Sequence, residues 1–153
     1  MSLVHEIETA RDHDEMLRRI VSHFGADSGT IHLLGEDGLL HLVVASDGIP
    51  LPVMDAIRAI PVGKGMAGLA VQRRQPVDSC NIQTDQSGDV RPGAKATNLA
   101  GAIVVPLFRG DEVVGALGIA NHAERSFSPA EIDALLEAGQ TFAETRRTRP
   151  TGS

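Results

Sequence analysis

Residues 102–120, AIVVPLFRGDEVVGALGIA, decide the fold class, because two β-prone runs flank a four-residue turn. The runs Ala102–Phe108 and Val113–Ala120 are rich in isoleucine and valine, whose branched side chains favour strands. Gly110 lies within the turn Arg109–Glu112, which is the pattern of a β-hairpin. The segment therefore predicts two antiparallel strands at the centre of a sheet.

A second hairpin is predicted earlier in the chain. Apolar and polar residues alternate through Thr30–Ala45, and the turn Gly35–Gly38 interrupts the pattern. Between the hairpins, the sequence predicts helices at Val53–Ile60 and Gly65–Gln72 and a short strand at Pro76–Asp78. Two hairpins joined by short elements indicate a largely antiparallel sheet.

A helix is predicted near each end of the chain. The first carries an apolar stripe at helical spacing, formed by Leu17, Ile20, Val21 and Phe24. The last begins with a capping box and an N1 proline, formed by Ser128, Pro129 and Glu131. We therefore expect an α+β fold in which helices pack on an antiparallel sheet.

A long polar segment, Cys80–Asn98, shows no apolar periodicity. Loops longer than about 12–15 residues are uncommon in compact domains, and many of them are lids or binding loops. We therefore predict that this segment covers a binding site.

Composition and charge exclude several classes of protein. The 153 residues carry a net charge of −6 and no basic stripe, which argues against nucleic-acid binding. No apolar run approaches the roughly 18 residues of a membrane span, and the single cysteine, Cys80, excludes an internal disulfide. We expect one cytoplasmic domain over residues 1–153, with a core at about 12–145 and a flexible tail at 146–153.

Three motifs invite a chemical interpretation, and in each the sequence favours a structural one. Gly63–Gly68 fits G-x-G-x-x-G, but the flanking strands would be very short and each contains a proline. His32 and His41 lie opposite each other if the hairpin turns at Glu36–Asp37, yet no third metal ligand is evident. Cys80 has no identifiable base. We therefore predict no catalytic residue and no metal site, and the sequence identifies no cofactor.

Several stretches, in the same order along the chain, resemble the GAF domain family. They are Ile60–Ala70, Gln75–Val77, Ala100–Leu107, Val114–Ile119 and Phe127–Ser128. The resemblance implies a six-stranded antiparallel sheet, with the terminal helices packed on one face and a ligand pocket on the other. It also implies a regulatory role, in which a bound small molecule or partner protein acts on an effector. We expect a stand-alone GAF domain or an excised sensor.

The enzymatic branch of the family, the free methionine-R-sulfoxide reductases, gives a test of catalysis. Where the resemblance places the cysteines of that branch, this chain has Ala67 and Lys95. Where it places acids, this chain has Ala102, Gly118 and Ala120. We therefore predict a non-catalytic sensory domain. The alternatives are a dimerisation or interaction module without a ligand, and a diverged reductase.

The pocket is predicted between the segment 81–98 and the sheet face opposite the terminal helices. Apolar side chains are expected to line it, from Leu42, Val44, Met66, Ile103, Val105, Leu117 and Ile119. The segment is expected to bring charges of both signs, from Asp85, Asp89, Arg91 and Lys95. Such a pocket suits a small, partly apolar metabolite, a zwitterionic one included, better than a haem or a bilin, because the chain has four phenylalanines and no Trp or Tyr for stacking.

A homodimer is also expected. The apolar pattern of the first helix extends beyond its cap, through Leu3, Val4 and Ile7. Two terminal helices with surplus apolar surface can bury it in a symmetric bundle. An effector protein is a further expected partner.

The lone cysteine gives the first testable prediction. Cys80→Ser should leave the fold and any ligand affinity nearly unchanged, because a loop thiol without a base is expected to be a bystander. Thermal unfolding and ligand titration of both proteins measure the effect. A loss of more than about 1.4 kcal/mol in binding, one decade in affinity, would show that the thiol belongs to the site.

Overall fold

The computed structural model of the protein describes residues 2–85, 87 and 98–148. Within these ranges, none of the helices is both long and apolar enough to cross a membrane. In chain order the elements are α1 (Leu3–Thr9), α2 (His13–His23), β1 (Ser28–Leu34), β2 (Leu39–Ala45), α3 (Leu51–Ile57), β3 (Ala59–Pro61), α4 (Gly65–Arg73), β4 (Val77–Ser79), β5 (Gly101–Arg109), β6 (Glu112–Asn121) and α5 (Pro129–Thr148).

The strands form one six-stranded sheet in the order β3-β2-β1-β6-β5-β4. Every neighbouring pair is antiparallel. Both predicted hairpins, β1–β2 and β5–β6, are present, and β1 pairs with β6 to join them at the centre. The α+β class and the six-stranded antiparallel sheet expected from the sequence are therefore confirmed.

The helix predicted over Val53–Ile60 is shorter in the structure. It ends at Ile57, and Ile60 instead pairs with Leu40 as part of β3. The chain becomes extended here because Pro61 disfavours helical backbone in the residue that precedes it. Ile57 is consequently the last residue of α3, where its carbonyl oxygen has no intrahelical donor.

The main core lies between one face of the sheet and the helices α1, α2 and α5. From β5 and β6 come large aliphatic side chains that are almost fully buried, namely Ile103, Val105, Leu107, Leu117 and Ile119. The helices add buried side chains to the same cluster, among them Leu17, Ile20, Leu135 and Phe142. Full burial of each such side chain stabilises the fold by about 1.5–3 kcal/mol. The terminal helices therefore share one face of the sheet, as expected.

The N-terminal apolar pattern forms two helices separated by a short break. Asp12 caps the second, because its carboxylate accepts a 2.9 Å hydrogen bond from the backbone N–H of Glu15. The first, α1, packs against α2 and α5 and buries Leu3 and Ile7. Leu3 and Ile7, two of the three residues that suggested a homodimer, are thus buried within the chain, and Val4 is half-buried. The homodimer stays a prediction, but surplus apolar surface on the first helix no longer supports it.

A bulge in β2 changes the pairing of the first hairpin. Ile31 pairs with Val44 and His32 pairs with Leu42, so Val43 has no partner in β1. One extra residue in a strand reverses the face on which the following side chains lie. Val44 consequently faces the main core together with Ile31.

The register set by the turn, in which Leu34 pairs with Leu40, separates the two histidines that a turn at Glu36–Asp37 would have placed opposite each other. His41 pairs with Leu33, and its Nε2 lies 2.8 Å from the carboxylate of Asp37. His32 is buried and pairs with Leu42, one position along β2 from His41. The expectation of a cross-strand histidine pair is therefore wrong.

Close packing between β1 and β6 gives a stability prediction at Gly115. A Cβ atom at this position would collide with the carbonyl oxygen of His32, which belongs to the backbone of the neighbouring central strand. Gly115→Ala should therefore destabilise the protein by about 3 kcal/mol, at the upper end for overpacking. The measurement is the free energy of unfolding in urea.

Gly118→Ala is the matched control in the same strand. Its Cβ would lie 3.2 Å from Cγ2 of Val104, a side chain that can shift. A cost of about 1 kcal/mol or less is expected for this variant. Equal destabilisation by the two substitutions would contradict the proposed role of the β1–β6 contact.

Candidate functional site

A cavity of about 530 Å³ lies on the sheet face opposite the terminal helices. Strands β1, β5 and β6 form its floor, while α3 and the first turn of α4 form its walls. The two ends of the long segment complete the lining: Asn98 and Leu99 come from one end, and Ile82, from the other, is buried and packs with the floor residues Ala102 and Ala120. The volume falls within the range of about 300–1,000 Å³ that small-molecule sites occupy.

The side chains on the floor of this cavity are mostly small and leave the space above them unfilled. Ala102 pairs with Ala120 and Val104 pairs with Gly118, and all four residues line the cavity. Their immediate neighbours along β5 and β6 point to the opposite face and are large, because side chains alternate along a strand. The same hairpin therefore fills the core on one side and leaves space on the other.

The α3 wall has little packing of its own. None of its residues is buried, and it has no side-chain hydrogen bond at its N-terminus. Val53, Ala56 and Ile57 line the cavity. Ile57, at the end of α3, packs against a small apolar cluster formed by Leu40, Ile60, Val71 and Ala116, while Val53 and Ala56 border the open space of the cavity.

His32 is the buried polar residue of the floor. Its side chain is 2% exposed, and Nε2 lies 2.7 Å from the carbonyl oxygen of Ile57 at the end of α3. Burial lowers the pKa of His32 below its usual value, the hydrogen bond to Ile57 opposes this, and the nearby charge of His41 lowers it further. His32 is therefore neutral near pH 7 and ties the floor to the α3 wall.

Charged residues of the lining lie at the mouth of the cavity. Asp27, Asp47, Lys64 and His122 are exposed. The carboxylate of Asp27 accepts a 2.8 Å hydrogen bond from the backbone N–H of His122. The imidazole Nδ1 of His122 lies 3.1 Å from the carbonyl oxygen of Asn98. The first contact joins the start of β1 to the end of β6, and the second joins one end of the long segment to the residue that follows β6.

The predicted pocket residues are only partly in the cavity lining. Met66 and Ile119 border the cavity, but Ile119 also belongs to the main core cluster under the terminal helices. Leu42 is half-buried and lies outside the described lining. Four others are wrongly placed by the prediction, because they lie in the main core under the terminal helices: Val44, Ile103, Val105 and Leu117.

The reason for this error is that both faces of the hairpin are apolar. Alternation alone then does not indicate which face is covered by helices. The prediction therefore places the larger residues, such as Ile103 and Leu117, in the pocket. Side-chain size is the signal that could have found the floor residues Ala102, Val104, Gly118 and Ala120. No sequence signal distinguished His32, because its hydrogen-bond partner, Ile57, is distant in the sequence.

The charged residues expected from the long segment are placed only in part. Asp85 is outside the described lining of the cavity. Its carboxylate accepts hydrogen bonds from the hydroxyl of Ser79 at 2.7 Å and from the backbone N–H of Ser87 at 2.9 Å. Asp89, Arg91 and Lys95 lie outside the described residues. Their role in binding stays a prediction.

The remaining motifs have structural explanations in the described chain. A Cβ atom at Gly68 would collide with the carbonyl oxygen of Pro61, so the glycine motif allows α4 to pack closely. Cys80 is exposed and outside the described lining of the cavity. Within residues 2–85, 87 and 98–148, no group of three or more potential ligands could hold a metal ion.

A second, open groove of about 690 Å³ runs along α1 and α2 and has a polar lining. Its buried carboxylate, Glu15, lies 2.9 Å from Arg11 and 2.6 Å from Arg19. Nη1 of Arg19 also donates to the carbonyl oxygen of Glu6 at 2.6 Å. These groups satisfy one another, so the groove is a weaker candidate than the cavity.

The lowered pKa of His32 gives a prediction for stability against pH. Its pKa in the folded protein lies below the value of 6.5 in the unfolded chain, so the unfolded chain binds more protons in acid. Stability should therefore be constant above about pH 7 and should fall as the pH decreases through 6.5. His32→Gln keeps an amide donor for Ile57 and lacks the titrating group, so its unfolding free energy should depend less steeply on pH. Parallel pH profiles for the two proteins would contradict this assignment.

Comparisons with known proteins agree with this architecture. The family model described as a GAF domain matches residues 10–145, and no curated protein matches the chain by sequence. The GAF domain of an Acinetobacter phosphoenolpyruvate-protein phosphotransferase is 20% identical, with a TM-score of 0.75, covering 97% of this chain and 93% of its own. A free methionine-R-sulfoxide reductase from Neisseria meningitidis, solved with its substrate, is 18% identical, with a TM-score of 0.75, covering 96% and 87%.

A third similar structure is a far-red-absorbing dark state with bound biliverdin. It is 16% identical, with a TM-score of 0.66, covering 95% of each chain. At such low identities these three structures show similarity of fold alone. The family model, by contrast, spans most of the sequence, and the observed sheet and helices match its structural relatives. The chain therefore belongs to the GAF domain family.

Proposed function

We propose that the protein is a non-catalytic sensory domain that binds a small, partly apolar molecule in the cavity. The observation that carries the proposal is the space of about 530 Å³ above a floor of small residues. Protein interiors are normally close-packed. An apolar space of this size, with a few polar groups, is therefore a candidate ligand site.

The chemistry of four lining positions supports binding without catalysis. Ala67, Ala102, Gly118 and Ala120 all line the cavity, and the resemblance places a cysteine or an acid of the reductases at each of them. Methyl groups and a hydrogen supply neither a nucleophile nor a general acid or base. Lys95, at the fifth such position, lies outside the described residues.

The character of the lining supports a ligand smaller than a haem or a bilin. The chain's aromatic residues are Phe24, Phe108, Phe127 and Phe142, and none of them is in the described lining. A large planar cofactor would therefore have no aromatic ring there for stacking. A compact molecule with an apolar body makes better use of the aliphatic walls.

The α3 wall is the regulatory element of the proposed sensory role. A short helix without buried residues has little stabilisation from packing. A ligand between α3 and the floor would add apolar contacts to Val53 and Ile57, both of which line the cavity. Binding would thereby favour one position of α3 over others. An effector that contacts α3 would detect this change.

The site can be tested by filling the cavity with Ala120→Leu. Ala120 lies on the floor beside Ala102, so the larger side chain should occupy the ligand's space. Thermal-shift screening of amino acids, nucleosides and small organic acids should give hits on the wild-type protein. A ligand at about 100 times its Kd should stabilise it by about 2.7 kcal/mol and should have no effect on Ala120→Leu.

Ala130→Leu is the matched control, because it makes the same change at an exposed position of α5 on the other side of the sheet. This variant should respond to the hits as the wild-type protein does. Equal stabilisation of Ala120→Leu would place the site elsewhere, and a screen without hits would favour the interaction module. Turnover of free methionine sulfoxide by the wild-type protein would contradict the non-catalytic role.

A further inference from the structure

His32 is a buried cavity residue whose hydrogen-bonding capacity is half used. Its Nε2 lies 2.7 Å from the carbonyl oxygen of Ile57. The other ring nitrogen, Nδ1, has no hydrogen-bond partner among the described residues. His32 lines the cavity, so a ligand bound there would lie beside its ring.

The contact with Ile57 determines which ring nitrogen carries the hydrogen. A carbonyl oxygen only accepts hydrogen bonds, so Nε2 must donate. In the neutral ring, Nδ1 is then an acceptor with a free lone pair. The fold therefore fixes the tautomer of His32 before any ligand binds.

The Nδ1 lone pair is not sealed inside the protein. In the described part of the chain, Arg109 Nε is the side-chain nitrogen or oxygen atom that is fully enclosed without a partner. Nδ1 of His32 also lacks a partner but is not enclosed to that extent. An acceptor that a bound ligand covers without giving it a donor costs about 1–3 kcal/mol, so a ligand with a donor group at this position is favoured over one without it.

Other polar groups of the lining do not provide the same selectivity. Asp27, Asp47 and Lys64 are exposed at the mouth, where water screens their charges. The hydroxyl of Thr30 lines the floor, but a hydroxyl can donate or accept and so tolerates either kind of ligand group. A fixed acceptor on His32 therefore discriminates most strongly between ligands.

We propose that His32 is the specificity-determining residue of the cavity: Nδ1 accepts a hydrogen bond from the ligand, and the site selects neutral molecules that carry an N–H or O–H donor on an apolar body. The inference rests on the proposed function, since it assigns a ligand class to the same cavity. Charged ligand groups are disfavoured at this depth, because the described floor offers them no opposite charge.

Indole and benzofuran form a matched pair of probes for this hydrogen bond. The two molecules have nearly the same shape, but indole carries an N–H donor where benzofuran has an oxygen atom. Isothermal titration calorimetry of the wild-type protein with each probe should show that indole binds about tenfold more tightly than benzofuran. Ala120→Leu should weaken the binding of both probes, which would place them in the cavity.

Two variants separate the role of His32 from a general effect on the cavity. His32→Phe keeps an aromatic ring and removes the acceptor, so the affinity ratio of indole to benzofuran should fall from about ten to about one. Thr30→Val removes the neighbouring hydroxyl at nearly constant shape, and it should leave the ratio unchanged. A ratio that persists in His32→Phe and collapses in Thr30→Val would overturn the assignment to His32.

A measurement on the wild-type protein avoids any dependence on the folding of the variants. Nitrogen-15 NMR of the histidine rings should show His32 as the tautomer protonated at Nε2. Addition of indole should shift the Nδ1 resonance of His32, and addition of benzofuran should leave it nearly unchanged. A ring protonated at Nδ1, or equal responses to the two probes, would overturn the inference.

The outcomes also distinguish this inference from the function on which it rests. If both probes bind the wild-type protein equally and Ala120→Leu excludes them, the cavity is a ligand site and the role of His32 is wrong. If neither probe binds the wild-type protein while compounds of the thermal-shift screen do, the inference fails and the small-ligand function stands; if neither the probes nor the screened compounds bind, both fail. Selective binding of indole that requires His32 supports both.

Discussion

The structure depends on a difference in side-chain size between the two faces of β5 and β6. On one face, Ile103 and Leu117 pack under the terminal helices and are completely buried. On the other, Ala102, Gly118 and Ala120 line a cavity. Because side chains alternate along a strand, one hairpin sequence specifies both faces. The large side chains stabilise the fold, and the small ones leave the space in which a ligand can bind.

Much of the fold could be predicted because its signals are local. The capping box of α5 is an example, since Ser128 and Glu131 exchange hydrogen bonds of 3.0 and 3.1 Å as their spacing indicates. The hairpins follow from alternation around glycine-containing turns. The extended residue Ile60 was missed, although Pro61 carried the signal that ends the preceding helix.

The candidate site was harder to predict because it depends on long-range packing. Both faces of β5 and β6 are apolar, so the sequence pattern does not indicate which one the helices cover. Val44 shows a second cause, since the unpaired Val43 reverses the alternation along β2. The contact between His32 and Ile57 joins residues that are 25 positions apart. No local pattern reports such a contact.

Over part of the small-residue face, α3 is separated from the sheet by an apolar space and does not pack on it directly. A crystal structure under xenon pressure tests this most directly, because xenon enters apolar cavities in proteins. We expect anomalous density for xenon within about 4 Å of the methyl groups of Ala102 and Ala120, the distance of van der Waals contact. A structure in which Val53 and Ile57 pack directly on these two alanines, with no xenon between them, would contradict the account.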